Sequence, residues 1–356
     1  MNALIRDNSV SMAKGGAIIL MVMVHAHFSS YGGKFVNMFH MPLFFFMSGY
    51  CFKEAYLDNF SGFLKKRLKG AYWPYVKWSM IFLLLHNVFY EINIYNGDYG
   101  YNGMVSKYYN EGDFFRHSLA IVTTMSGEEQ LLGGYWFLHS YMIAAIISFI
   151  TLKIFRKNIF MNLTGGGILL LLCVIMLYFN ISIPYYDGPK EVLAAFFIVI
   201  GYAYKHSKIY ATPLVCILVG LILVIIGTEY WQSGMLILTW QKAIPYSISS
   251  IAGTLMVFSL CKYISKVPFL EKTLTYIGDR TLAVLTWHFL SFKAVSLLII
   301  FVYALQIKQL AKFPVIDQYA FQGWWMMYLI AGVALSLVVD LLISKAKRII
   351  FNKLQQ

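Results

Sequence analysis

Apolar residues recur along the whole chain in long runs, broken by short polar stretches rich in Lys, Tyr, Gly and Asn. A helix needs roughly 20 apolar residues to cross the hydrocarbon core of a bilayer. Ten runs approach that length, at about 12–28, 37–53, 72–94, 135–152, 165–183, 191–205, 211–230, 243–264, 281–304 and 323–344. The second and sixth are short and contain glycine, which predicts tilted, broken or re-entrant helices there. One segment, DFFRHSLAIVTTMSG at 113–127, alternates in the manner of an amphipathic helix and is expected at the surface or in the mouth of the bundle. No polar domain interrupts the runs. The pattern predicts an all-α integral membrane protein, a single polytopic domain over 1–356.

Composition and charge sharpen that picture. Hydrophobic residues make up 59% of the chain and charged residues 13%, against about half and about a quarter in soluble proteins. The first run lacks a small-residue cleavage site and carries Lys14 and His25, so it is expected to be a span and not a cleaved leader. With the N-terminus inside, 20 of the 29 Lys and Arg fall in inner segments, among them Arg6, Lys14, the 53–69 loop and the tail from Lys345. Seven fall outside, and ten of the 16 acids are on that outer side. Cytoplasmic loops concentrate Lys and Arg, so both termini are expected in the cytoplasm. The net charge of +13 then follows mostly from topology, and nucleic acid is not an expected partner. The partner the sequence demands is the lipid bilayer, as a multi-pass protein of a bacterial inner or plasma membrane. Cys51, Cys173, Cys216 and Cys261 lie in or beside apolar runs with no metal-site spacing, so neither a disulfide nor a metal is expected.

The longest outer connection, 95–134, includes NGDYGYNGMVSKYYNEGD. It is too long for a tether and could cover a site, although Tyr is common at membrane interfaces for other reasons.

Candidate chemistry starts in the first run, AKGGAIILMVMVHAHF. Ionisable groups are costly in hydrocarbon and tend to persist where they have a partner or a task. Lys14 and His25 are three helical turns apart, roughly 16 Å, on one face. Lys14 at the cytoplasmic mouth could hold a phosphate, and His25 in the outer half could act as a general base. The plainer alternative is a positive-inside anchor and a hydrogen-bonded core histidine. His27 points about 200° away from His25 on a helix, so the two cannot share a metal.

Two further blocks bear on that choice: FHMPLFFFMSGYCF at 39–52 and FLKKRLKGAYWPY at 63–75. With the first-helix Lys14–His25 spacing, they resemble the acyltransferase 3 family of integral-membrane O-acyltransferases. YWFLHSY at 135–141 and IGDRTLAVLTWHFL at 277–290 extend the resemblance from residue 6 to about 290. The resemblance implies that His25 is the catalytic histidine and that Lys14 and Arg67 help hold an acyl-CoA donor on the cytoplasmic side. Three departures stand out. Position 14 is usually arginine in the family, and a lysine lacks the bidentate phosphate contact of a guanidinium. Ser11 stands where an aspartate is expected. Gly70 stands where a second arginine often follows Arg67, and Lys69 could compensate. No esterase-like (SGNH-type) domain follows the last run, so transfer is expected to be completed within the membrane domain.

Other residues carry weaker signals. Lys65, Lys66 and Lys69 beside Arg67 could contact CoA phosphates or form a solvated inner loop. His40 could line the acceptor side, and His288 could contact the donor or His25. Glu128 and Glu129 could orient a histidine or hold a sugar hydroxyl, and Trp136 could stack on a sugar. Lys293 and Asp340 lie within spans and are expected to snorkel, outward and inward respectively.

The resulting expectation is a membrane O-acyltransferase, acetyl being the first candidate group. It would take acyl-CoA as co-substrate, hold no tightly bound cofactor and modify a hydroxyl of a cell-envelope glycan or glycolipid. His25 would serve as general base or as a covalent acyl relay. A transporter or flippase of a glycolipid or small anion is the alternative, and a structural subunit of an envelope complex a third. Acceptor identity and oligomeric state are not encoded legibly.

Overall fold

The computed structural model describes residues 8–100, 105–156, 158–207 and 212–354. Arg6, Lys157, Lys208 and the 101–104 stretch of the long 95–134 connection lie outside the described residues. The protein is 79% helix, with no strand among the described residues. The helices, in order, are α1 (Ser9–His25), α2 (Ser30–Asn37), α3 (His40–Tyr50), α4 (Phe60–Arg67), α5 (Trp73–Glu91), α6 (Glu111–Thr124), α7 (Trp136–Ile154) and α8 (Ile159–Tyr178). They continue as α9 (Pro189–His206), α10 (Pro213–Tyr230), α11 (Trp240–Ile264), α12 (Pro268–Gly278), α13 (Thr281–Val302), the single turn α14 (Asp317–Tyr319) and α15 (Trp325–Leu354).

A helix falls on each of the ten apolar runs. Among the described residues, six helical segments are long and apolar enough to cross a membrane: Gln130–Ile154, Ile159–Tyr178, Pro213–Tyr230, Trp240–Ile264, Thr281–Val302 and Asp317–Ile350. Ser9–His25 is a shorter apolar helix. The second run is short, as its sequence predicts: α3 has 11 residues and begins after Phe39, whose backbone is not helical.

The chain groups into two compact units, with the boundary in the middle of α1. The first comprises residues up to Ala17, Tyr31–Tyr75 and Trp136–Asp279. Here α9 is buried nearly throughout, from Val192 to Ala203, as expected of a helix apolar on every side. Its backbone meets α3 directly: a Cβ on Gly49 would lie 1.8 Å from the Ile198 carbonyl oxygen, and one on Gly201 would lie 2.0 Å from that of Phe46. Small residues permit such close approach between membrane helices, where packing and not hydrophobicity drives association. By contrast, α10 exposes Leu214, Leu218, Leu221, Ile222 and Ile225, the face a bilayer would cover.

The second unit comprises Ile18–Ser30, Val76–Tyr135 and Arg280 onward. Its core is α13 packed on α15, where Ser296 and Tyr328 share a 2.9 Å hydroxyl–hydroxyl hydrogen bond and Gly332 leaves room for Phe292 and Val22. The amphipathic segment is α6, which begins two residues before the 113–127 segment and ends at Thr124. Asn110 accepts from the Asp113 N–H and Asp113 accepts from the Asn110 N–H, a reciprocal cap that fixes where the helix begins.

Candidate active site

His25 is the last residue of α1, and the chain leaves the helix through His27, which has φ of 56°. The His25 ring is partly exposed. It lies 5.5 Å, centroid to centroid, from His288 and 4.9 Å from Phe289, which meets it edge-on. His27 turns elsewhere, with its Nδ1 2.8 Å from Asp317.

His288 is fully buried in the middle of α13. Its Nδ1 is 2.9 Å from the Val284 carbonyl oxygen and 3.1 Å from that of Leu285. A carbonyl can only accept, so Nδ1 carries the proton, and in the neutral ring Nε2 is left as a lone-pair acceptor. That Nε2 has no hydrogen-bond partner among the described residues. Buried polar atoms are seldom left unmatched in this way. The chain has placed an imidazole with its Nδ1 proton committed to its own helix beside His25.

The segment before α7 packs against α13 beside His288. The Tyr135 and Thr286 hydroxyls are 2.7 Å apart. A Cβ on Gly134 would come within 2.8 Å of Leu285 and 3.8 Å of His288 Cε1. The glycine is what lets the Gln130–Tyr135 segment lie against the histidine helix.

The basic cluster at 65–69 separates into two kinds of residue. Lys65, Lys66 and Lys69 are exposed, while Arg67 is half-buried. Arg67 donates to the Tyr141 hydroxyl, which also pairs with Ser48 at 2.9 Å. Its guanidinium lies 5.0 Å from the Phe63 ring and 5.5 Å from that of Tyr141. Its buried Nε has no partner among the described residues. Arg67 is therefore pre-organised with a donor to spare, whereas the three lysines offer mobile charge. A π-helical turn, Leu68–Tyr72, follows at once; such turns are frequent at functional sites.

Lys14 is half-buried on α1, whose N-terminal half docks on the end of α12. Gly15 makes that possible, since a Cβ there would lie 2.2 Å from the Leu274 carbonyl oxygen. Ser11 donates to Asp279 at 2.7 Å. The carboxylate missing from position 11 is thus supplied beside it by residue 279.

The remaining candidates occupy distinct settings. His40 is buried, its Nδ1 2.9 Å from the Val36 carbonyl oxygen. Trp136 has Lys190 over its ring at 5.7 Å, so one potential stacking face already holds a cation. Glu128 is exposed and stands 3.8 Å from His117. Glu129 is buried, with its Oε1 2.9 Å from His86 Nδ1. His86 Nε2 is 3.1 Å from the Lys107 carbonyl oxygen. Tyr109 lies flat on His86, with centroids 3.5 Å apart, and His117 lies on Tyr109 at 4.7 Å. Burial lowers the pKa of His117 below the ordinary histidine value, against a smaller opposing pull from Glu128. A hydrogen bond from Lys107 holds the Asp113 carboxyl below its usual range.

His86, Tyr109, His117 and Tyr141 are missed by the sequence reading. His86 sits in LLLHNVFY, where an ionisable residue inside an apolar run is the signal that could have found it. Lys293 corrects an expectation. It does not snorkel: it is 2% exposed and donates to the carbonyls of Leu310 and Lys312, each at 2.8 Å. Asp340 faces Arg280 at 3.6 Å.

With this geometry in hand, comparison with known proteins decides the family. Residues 7–349 match the acyltransferase-domain family, nearly the entire chain. The chain belongs to the acyltransferase 3 family. No curated protein matches it, and no solved structure does. Family membership implies acyltransferase activity in a multi-pass membrane protein.

Proposed function

We propose that this acyltransferase 3 protein is an O-acyltransferase that moves a short acyl group, acetyl first among candidates, from cytosolic acyl-CoA to a hydroxyl of an envelope glycan or glycolipid. The single observation that carries the reading is the His25–His288 pair. With His288 Nε2 available only as an acceptor, a His25 N–H that turned to donate to it would leave the other His25 nitrogen as a lone pair. That nitrogen is the general base. It takes the proton of the acceptor hydroxyl as the oxygen attacks the thioester carbonyl; the C–S bond breaks and the thiolate regains the proton. A positioned base of this kind contributes roughly 10²–10⁴-fold in rate.

On the donor side, Arg67 is the fixed phosphate contact, with Lys14, Lys66 and Lys69 adding charge. Phosphate recognition favours a planar guanidinium for geometry and ammonium groups for charge. A ten-span topology with both termini in the cytoplasm puts these cations on the side where acyl-CoA is found. It is supported by the distribution of Lys and Arg between alternate loops.

The test is acyl transfer by membranes containing the wild-type protein or His25→Ala, supplied with labelled acetyl-CoA. Label on envelope glycans with wild type alone supports the reading. Equal label with both removes His25 from the chemistry.

A further inference from the structure

An acyltransferase that works beside water must keep water from competing with the acceptor hydroxyl. Thioesters are activated toward both, and excluding water is one recognised way to suppress the side reaction. The second unit contains a structure suited to that task, built on a residue that the transfer chemistry leaves unused.

Lys293 is a lysine buried inside α13 with no carboxylate partner among the described residues. A buried ammonium is expensive unless its protons are matched. Here two are matched by the carbonyl oxygens of Leu310 and Lys312, both at 2.8 Å. The ammonium therefore clamps the chain on either side of residue 311 and fixes the direction of the residue that follows, Phe313. The Phe313 ring lies 4.6 Å from Phe289, and Phe289 is the ring that meets both His25 at 4.9 Å and His288 at 3.9 Å. From the other side, a Cβ on Gly133 would touch Phe313 at 3.4 Å and Phe289 at 3.5 Å. Two chain segments thus converge on one pair of phenyl rings beside the histidines.

Resting on the acyl-transfer reading above, we propose that Phe313, held by Lys293, is the wall that keeps water from the acyl group at His25, so that the acceptor hydroxyl and not water receives it. Phe313 is a positioning residue and takes no part in bond making. In transfer, the acceptor oxygen bonds to the carbonyl carbon, the C–S bond breaks, and the hydroxyl proton ends on sulfur, giving an ester and a free thiol. In the leak, water takes the place of the acceptor and the products are a carboxylic acid and the same thiol. Thiol release therefore counts both reactions, and ester formation counts one.

The experiment measures both quantities in membranes containing the full-length protein, with labelled acetyl-CoA and the native envelope glycans. Phe313→Ala should raise the ratio of thiol released to ester formed about tenfold, because opening the wall admits water. Phe313→Leu should restore the ratio, and Lys293→Met should raise it in protein that remains inserted. A ratio unchanged in Phe313→Ala overturns the proposal, whether both rates stay at wild type or fall together, since either makes Phe313 a packing residue only. If wild type releases thiol without forming any ester, or neither product appears, the acyl-transfer reading fails and this inference falls with it. An unchanged ratio in an active variant leaves that reading standing.

Discussion

His25 and His288 stand with ring centroids 5.5 Å apart and planes tilted by 32°, and the Nδ1 of His288 is committed to carbonyls of its own helix. The pair is asymmetric by construction: one ring is partly exposed at a helix end, the other wholly buried with its tautomer fixed. Replacing His288 by Ala should lower kcat about 10²-fold while leaving KM for acyl-CoA nearly unchanged, as loss of an orienting partner for a general base predicts. His288→Gln, which keeps a side-chain acceptor, should retain more activity than His288→Ala. Steady-state kinetics on the two variants checks this; a rise in KM alone would assign His288 to donor binding.

Arg67 and its neighbouring lysines should behave differently. Arg67→Lys keeps the charge but loses the planar fork, and should raise KM for acyl-CoA about tenfold, equivalent to about 1.4 kcal/mol. Lys65→Ala, Lys66→Ala and Lys69→Ala should each have smaller effects that fade at high salt, because exposed charges are screened. Measuring KM at two ionic strengths separates the two kinds of contact.

The buried His86–Glu129 pair is predicted to be structural. Removing one partner of such a pair strands the other and costs about 3–5 kcal/mol. Glu129→Leu and His86→Leu should each destabilise the protein markedly, and the double variant by less than the sum. A thermal-unfolding cycle in detergent reads the coupling directly.

The 95–134 connection should loosen in acid. The folded-state pKa of His117 is lowered from 6.5, chiefly by burial, so the folded protein binds fewer protons there than the unfolded chain does. His117 therefore contributes stability that is present above pH 6.5 and is lost as pH falls toward its lower folded value. Asp113, also lowered by Lys107, adds a second loss of the same sign in the more acidic carboxylate range. Hydrogen exchange over 105–129 should be slow at pH 7.5 and faster, at matched intrinsic rate, at pH 5. His117→Gln should remove most of that difference.

Much of this architecture is legible in the sequence because the bilayer imposes a simple rule. Backbone groups in hydrocarbon must bond within their own helix, so the apolar runs mark helices, and one was found on every run. The amphipathic α6 was legible from the spacing of its apolar residues, and its start follows from the Asn110–Asp113 cap. The partnerships were not. Nothing in HSLAIV or LLLHNVFY says that His117 and His86 sandwich Tyr109, because that contact joins segments distant along the chain. Lys293 misled for a related reason. An isolated lysine in a helix snorkels, and only the tertiary approach of the 310–312 carbonyls makes burial affordable. Likewise Ser11 looked like a lost aspartate until the fold brought Asp279 beside it.

The most direct test of the account is acetyl-CoA-dependent labelling of envelope glycans by membranes containing equal amounts of inserted wild-type protein or His25→Ala. The account predicts ester-linked label with wild type and none above background with His25→Ala. Label undiminished in His25→Ala, or absent from both, would contradict it.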